Sequence, residues 1–92
     1  MDISRAIRKR LEEGLQEHQR GALEAAQVIY QGVLDDDPEN ADAYHFLGLI
    51  AHQQQNFKTA VTFIQKAIAG DNARPTFHFN LGAAQLALGG TE

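Results

Sequence analysis

Glycine stands at positions 14, 48 and 82, and the 34-residue interval between them brings much of the chain into register with itself. Leu47-Gly48 recurs as Leu81-Gly82. Ala26 matches Ala60, Leu23 matches Phe57, and Leu34 matches Ile68. A repeat of this length is one supersecondary unit, too small to bury its apolar face alone, so it stacks on its neighbours. The frame divides the chain into units 7–40 and 41–74 and a shortened unit 75–92.

Apolar spacing and end signals place five helices in this frame. The first covers residues 4–20, with Ile3, Ile7, Leu11 and Leu15 recurring at i+4 and Gly21 as its stop. The second covers 22–36 through Leu23, Ala26, Ile29, Tyr30, Val33 and Leu34. Asp35-Asp36-Asp37-Pro38 closes it, because carboxylates oppose the negative helix end and Pro38 disfavours helix at Asp37. Asn40 caps a third helix over 41–54, where Tyr44, Leu47, Gly48 and Ala51 share one face. Gln55-Asn56 makes a tight turn into a fourth helix over 57–69. Gly70-Asp71-Asn72 ends that helix, Pro75 opens a fifth over 75–88, and Gly89-Gly90 stops it. No segment has the alternation of a strand. All connections are short, so successive helices run antiparallel.

A 34-residue helix–turn–helix period with this spacing resembles the tetratricopeptide repeat over residues 7–88. Unit 2 carries Tyr44, Leu47-Gly48, Ala60, Ile64 and Ala67; unit 1 carries Gly14, Gly21, Ala26, Tyr30, Val33 and Pro38. The packing logic agrees. Closely crossing helices need small residues at the crossing, such as Gly48 and Ala60, while Tyr30 fills the gap to the next pair. The resemblance implies an all-α superhelical solenoid of five antiparallel helices, two full repeats plus a final helix, forming a single domain over 1–92. There are departures. Asn72 replaces the Pro38 of the preceding unit, and Arg10, Glu13 and Glu17 stand where unit 2 has Tyr44, Leu47 and Ala51. Polar residues at those positions suggest an N-terminal edge. The fifth helix is apolar nearly all round. A helix of that kind is covered on more than one side, by further repeats of a longer chain, by another domain or by a second copy. The expected assembly surface is Phe77, Leu81, Ala84 and Leu88.

Composition narrows the function. The chain has 92 residues, no Cys and a net charge of −4. That removes disulfides, zinc–thiolate sites and Cys nucleophiles, and it argues against nucleic acid as a partner. No run of 18 apolar residues exists to cross a membrane, and the N-terminal stretch lacks the apolar core of a secretory signal. The chain is expected to be cytoplasmic.

Catalytic constellations are missing. Ser4 is the single Ser and sits at the first helix start. Asp35-Asp36-Asp37 and Glu12-Glu13 read as a solvated helix end and a helix surface, and no Gly-rich phosphate loop is present. The basic run Arg5, Arg8, Lys9, Arg10 is interleaved with acids and reads as a solvated helix start. His18 and His52 are equivalent by repeat, and His45 lies two turns before His52. Two turns separate side chains by about 10 Å, too far to share one ion at about 2.0–2.1 Å. No metal, cofactor or catalytic residue is implied, and the chain reads as non-enzymatic.

In the family, the first helix of each pair lines the concave side of the array. By register this face carries Arg8, Leu11, Glu12, Leu15, His18 and Gln19, then Asp42, His45, Phe46, Leu49, His52 and Gln53, then Thr76, Phe79, Asn80, Ala83 and Leu86. Leu11, Leu15, Leu49 and Ala83 serve equally well as core. The resemblance implies binding of a protein or peptide there. Phe46 and Phe79 are the expected anchors beside Leu49, with His45, His52, Gln53 and Asn80 as polar contacts. The cationic set that grips a terminal carboxylate in co-chaperone members is replaced by Leu11, Leu15, Phe46, Thr76 and Asn80. The Asn ladder of glycosyltransferase members survives only at Asn80. The wording of the repeats is also similar to N-terminal stretches of bacterial glycosyltransferase-like and sulfotransferase-like proteins. The alternatives to groove binding are homodimeric assembly through the last helix, or service as the non-catalytic segment of a larger transferase.

Overall fold

A computed structural model describes residues 3–91; Met1, Asp2 and Glu92 lie outside the described residues. Five helices follow in order: α1 (Ile3–Gln19), α2 (Leu23–Asp36), α3 (Ala41–Gln53), α4 (Phe57–Gly70) and α5 (Pro75–Thr91). The fold is all-α, and no strand occurs among the described residues. The ends of α1 to α4 fall within one residue of the positions expected from sequence. α5 differs, running through Gly89-Gly90 to Thr91. Neither glycine takes a positive φ. Glycine permits a left-handed stop without imposing one, and each costs a helix only about 1 kcal/mol.

The stops after α1 and α3 share one geometry. After α1, Gly21 N–H donates to His18 C=O at 3.0 Å and Ala22 N–H to Glu17 C=O at 2.9 Å. After α3, Gln55 N–H donates to His52 C=O at 2.9 Å and Asn56 N–H to Ala51 C=O at 2.8 Å. Both are Schellman closures, which place the residue after the helix in the left-handed region. Gly21 adopts it at φ +82° and Gln55 at φ +62°. Between the pairs, Asn40 caps α3: its side-chain oxygen accepts from Ala43 N–H at 2.8 Å. Its amide also donates to Asp37 Oδ2 at 3.0 Å, which ties the end of α2 to the start of α3.

Each helix packs on its chain neighbour, and α1 meets α3 as α3 meets α5. α2 and α4 do not meet among the described residues. The odd helices therefore lie closer together than the even ones, and the array bends toward them, making α1, α3 and α5 the inner layer. The core lies between the layers and contains Ala26, Tyr30, Val33, Ala43, Ala60, Ile64 and Ala67, all fully buried. Glycine sets the crossing in each pair. A Cβ on Gly14 would lie 2.5 Å from Tyr30 Cε1, and one on Gly48 2.7 Å from Ile64 Cγ1. Ile3, assigned to the apolar stripe of α1, is exposed instead. It occupies the first turn of α1, where the lining it shares is Ala6, Ile7, Arg10 and Asp36 at an open edge.

Candidate binding groove

The inner layer has a depression between α1 and α3. α1 supplies Arg8, Leu11, Glu12 and Leu15 at i, i+3, i+4 and i+7, and α3 supplies Asp42 and Phe46 at i and i+4. These spacings put each set on one helix face. The six residues line an open space of about 230 Å³. Leu11, Leu15 and Phe46 form an apolar floor, and Arg8, Glu12 and Asp42 supply charge of both signs at the rim. All six were placed on the concave face by register.

The floor is preformed. The Phe46 ring stacks on Tyr30 at 5.2 Å between centroids, and Tyr30 is wedged against Gly14. Phe46 is half-buried, so one side belongs to the core and the other to the groove. The Tyr30 hydroxyl is buried without a hydrogen-bond partner, and burial pushes its pKa up to about 12. Asp42 is held from outside the groove by Arg74 at 3.1 Å, and the Arg74 guanidinium lies 4.6 Å from the Phe77 ring centroid. Repeat spacing gave no signal for Arg74, because its counterpart one unit earlier is the capping Asn40.

Several residues expected in the groove lie elsewhere. His45 was expected as an accessible polar contact, but it is only 6% exposed. Its Nε2 accepts a hydrogen bond from Asn80 Nδ2 at 2.8 Å, and its ring sits 4.5 Å from that of Phe77. An amide nitrogen can only donate, so the imidazole is neutral with its proton on Nδ1. Burial lowers the His45 pKa; Asp42 opposes that shift and Arg74 adds to it. His45 and Asn80 are thus spent on joining α3 to α5. His18 and Gln53 form a similar bond, Nε2 to Oε1, between α1 and α3. The His18 Nδ1 is buried without a partner. His52, its repeat equivalent, is half-buried with its ring edge-on to Phe57 at 5.1 Å. Leu49 is half-buried, and Phe79 is 76% exposed. Of the seven residues favoured as partner contacts, Phe46 alone lines the depression.

The expected assembly surface is also corrected. Phe77 and Ala84 are fully buried inside the chain, and Leu81 packs on the cluster of Ala51, Ala60, Ile64 and Ala84. Leu88 is half-buried. Phe77, Leu81 and Ala84 dock α5 onto the rest of the molecule and are unavailable to a second copy. The opposite side carries the exposed apolar residues, Phe79 and Leu86. A helix with apolar residues on both sides and only scattered polar ones has no polar stripe to show which side turns inward, which is why sequence chose the wrong one.

Among the described residues no three His, Asp or Glu side chains come close enough to hold a metal ion. No helix is long and apolar enough to cross a membrane. In comparison with known proteins, the family model described as tetratricopeptide repeat matches residues 17–72. No curated protein matches the chain.

Proposed function

The chain belongs to the tetratricopeptide repeat family, whose members generally mediate protein–protein interaction and are typically non-catalytic, and on that premise we propose that it binds a peptide or protein segment in the α1/α3 groove. The observation that carries this reading is the half-exposed Phe46 ring, clamped by Tyr30 at the floor of an apolar depression. A preformed aromatic surface loses little conformational freedom on binding, so most of its contact energy remains for affinity. An apolar side chain of the ligand seats against Leu11, Leu15 and Phe46 and displaces water from all three. Arg8, Glu12 and Asp42 meet the polar groups flanking that side chain and set its orientation.

The test is selection from a random displayed peptide library against the 92-residue chain, followed by affinity measurement on variants. Phe46→Ala is expected to weaken the selected peptides at least tenfold, about 1.4 kcal/mol, as for an interface hot spot. Glu12→Lys, on the exposed rim, is expected to change the charge preference of the peptides without altering the fold. Selected peptides indifferent to both substitutions refute the assignment.

A further inference from the structure

The charged rim of the groove is held by a residue that does not line it. Arg74 is the last residue before α5, and Pro75 disfavours helix at that position. The short arm 71–74 is pinned at three points. Asp71 Oδ1 accepts from Ala73 N–H at 3.1 Å, Phe77 N–H donates to Arg74 C=O at 3.0 Å, and His78 Nε2 donates to Asn72 C=O at 2.9 Å. The guanidinium carried by this arm has three neighbours. Its Nη2 lies 3.1 Å from Asp42 Oδ1, its Nη1 lies 3.8 Å from Asp71 Oδ2, and its carbon lies 4.6 Å from the Phe77 ring centroid. Asp42 and Phe46, at i and i+4 on α3, both line the depression, whereas Asp71 and Arg74 do not. An exposed ion pair usually contributes little because two mobile side chains must be ordered to form it. Here much of that order exists beforehand: Phe77 is fully buried, the arm is bonded in place, and Asp42 stands in the first turn of α3.

On the reading of the α1/α3 groove as the binding site, we propose that Arg74 is its positioning residue for charge: it fixes the Asp42 carboxylate at the rim and cancels its charge toward the ligand, so that the groove takes an apolar segment without favouring a basic residue beside it. Without Arg74 the lining sets Arg8 against Glu12 and Asp42, one carboxylate in excess. With Arg74 in place, the opposite charges 3.1 Å apart present a dipole, whose field falls off faster than that of a lone carboxylate. The ligand class this defines is a peptide with an apolar anchor and uncharged or charge-balanced neighbours. Side chains of Arg74 and Asp42 are 46% and 38% exposed, so water screens the pair and the effect on affinity is a small multiple.

The experiment takes one library-selected peptide and remakes it with Lys, Gln or Glu on each side of its apolar anchor in turn. Affinities are measured for the natural chain, Arg74→Gln, Asp42→Asn and the double variant, with circular dichroism to verify the fold. At one of the two sides, Arg74→Gln is expected to raise the Lys-to-Glu affinity ratio roughly two- to fivefold over the natural chain, the scale of an exposed ion pair. Asp42→Asn should move the same ratio the opposite way by a similar factor, and the double variant should return it to the natural value. A merely structural role for Arg74 weakens the Lys, Gln and Glu peptides alike and leaves the ratio unmoved, which overturns the proposal. A ratio that moves in one direction in both single variants overturns it too. Phe46→Ala, measured alongside, separates the two levels of failure. Peptides indifferent to Phe46→Ala refute the groove itself, and the role of Arg74 with it. Peptides weakened by Phe46→Ala whose ratio ignores Arg74→Gln overturn the role of Arg74 alone.

Discussion

Asn80 donates its amide proton to His45 Nε2 at 2.8 Å, and this bond fastens α5 to α3 beneath the inner face. It requires a neutral imidazole. The folded-state pKa of His45 lies below its usual value of 6.5, first through burial and then through Arg74, with Asp42 opposing. The unfolded chain therefore takes up this proton at higher pH than the folded one. The stability that His45 contributes is complete above about pH 6.5 and is lost as pH falls below it. Urea midpoints are expected to drop between about pH 7 and about pH 5. His45→Phe should flatten that part of the profile. An unchanged slope in the variant contradicts the assignment.

Gly48 and Gly82 occupy the same register with opposite surroundings. Gly48→Ala drives a Cβ to 2.7 Å from Ile64 and 3.3 Å from the Ala60 carbonyl. A loss of about 1–3 kcal/mol is expected, as for overpacking of a core. Gly82→Ala meets nothing within 4 Å and should stabilise the fold by about 0.5–1 kcal/mol through helix propensity. Thermal unfolding of the two variants at low protein concentration checks the contrast, and equal effects would contradict it.

Gln55 holds the left-handed position that glycine fills one unit earlier. Gln55→Gly should raise stability by roughly 1 kcal/mol by relieving the Cβ–carbonyl conflict. Gly21→Ala should lower it by a similar amount. Chemical denaturation of the pair measures both signs.

Tyr30 contributes its ring and wastes its hydroxyl, which is buried without a partner. Tyr30→Phe removes that desolvated group and keeps the stack on Phe46. Unfolding free energy is expected to stay level or to rise by about 1 kcal/mol, against a loss of about 3–5 kcal/mol for Tyr30→Ala. A clear loss in Tyr30→Phe would mean that the hydroxyl is satisfied.

Much of the fold was legible because its causes are local. The Asn40 cap, the Asp37-Pro38 break and the i+4 stripes act within a few residues, and the ends of α1 to α4 fall within one residue of where they were expected. The groove floor was legible in part, since register alone brought Arg8, Leu11, Glu12, Leu15, Asp42 and Phe46 to one face. What escaped depends on contacts distant in sequence. His45 looks like any groove histidine until Phe77 and Asn80 arrive from 32 and 35 residues further on. Arg74 reaches Asp42 across the start of α5. The facing of α5 is set by which apolar stripe finds Ala51, Ala60 and Ile64, and both of its sides are apolar.

The central claim is that the α1/α3 depression takes the ligand, and amide chemical-shift mapping with a library-selected peptide tests it most directly. The account predicts that perturbations cluster on Arg8, Leu11, Leu15, Asp42 and Phe46, and that Phe46→Ala abolishes them at the same peptide concentration. Perturbations confined to the outer faces of α2 and α4, or to α5, would contradict it.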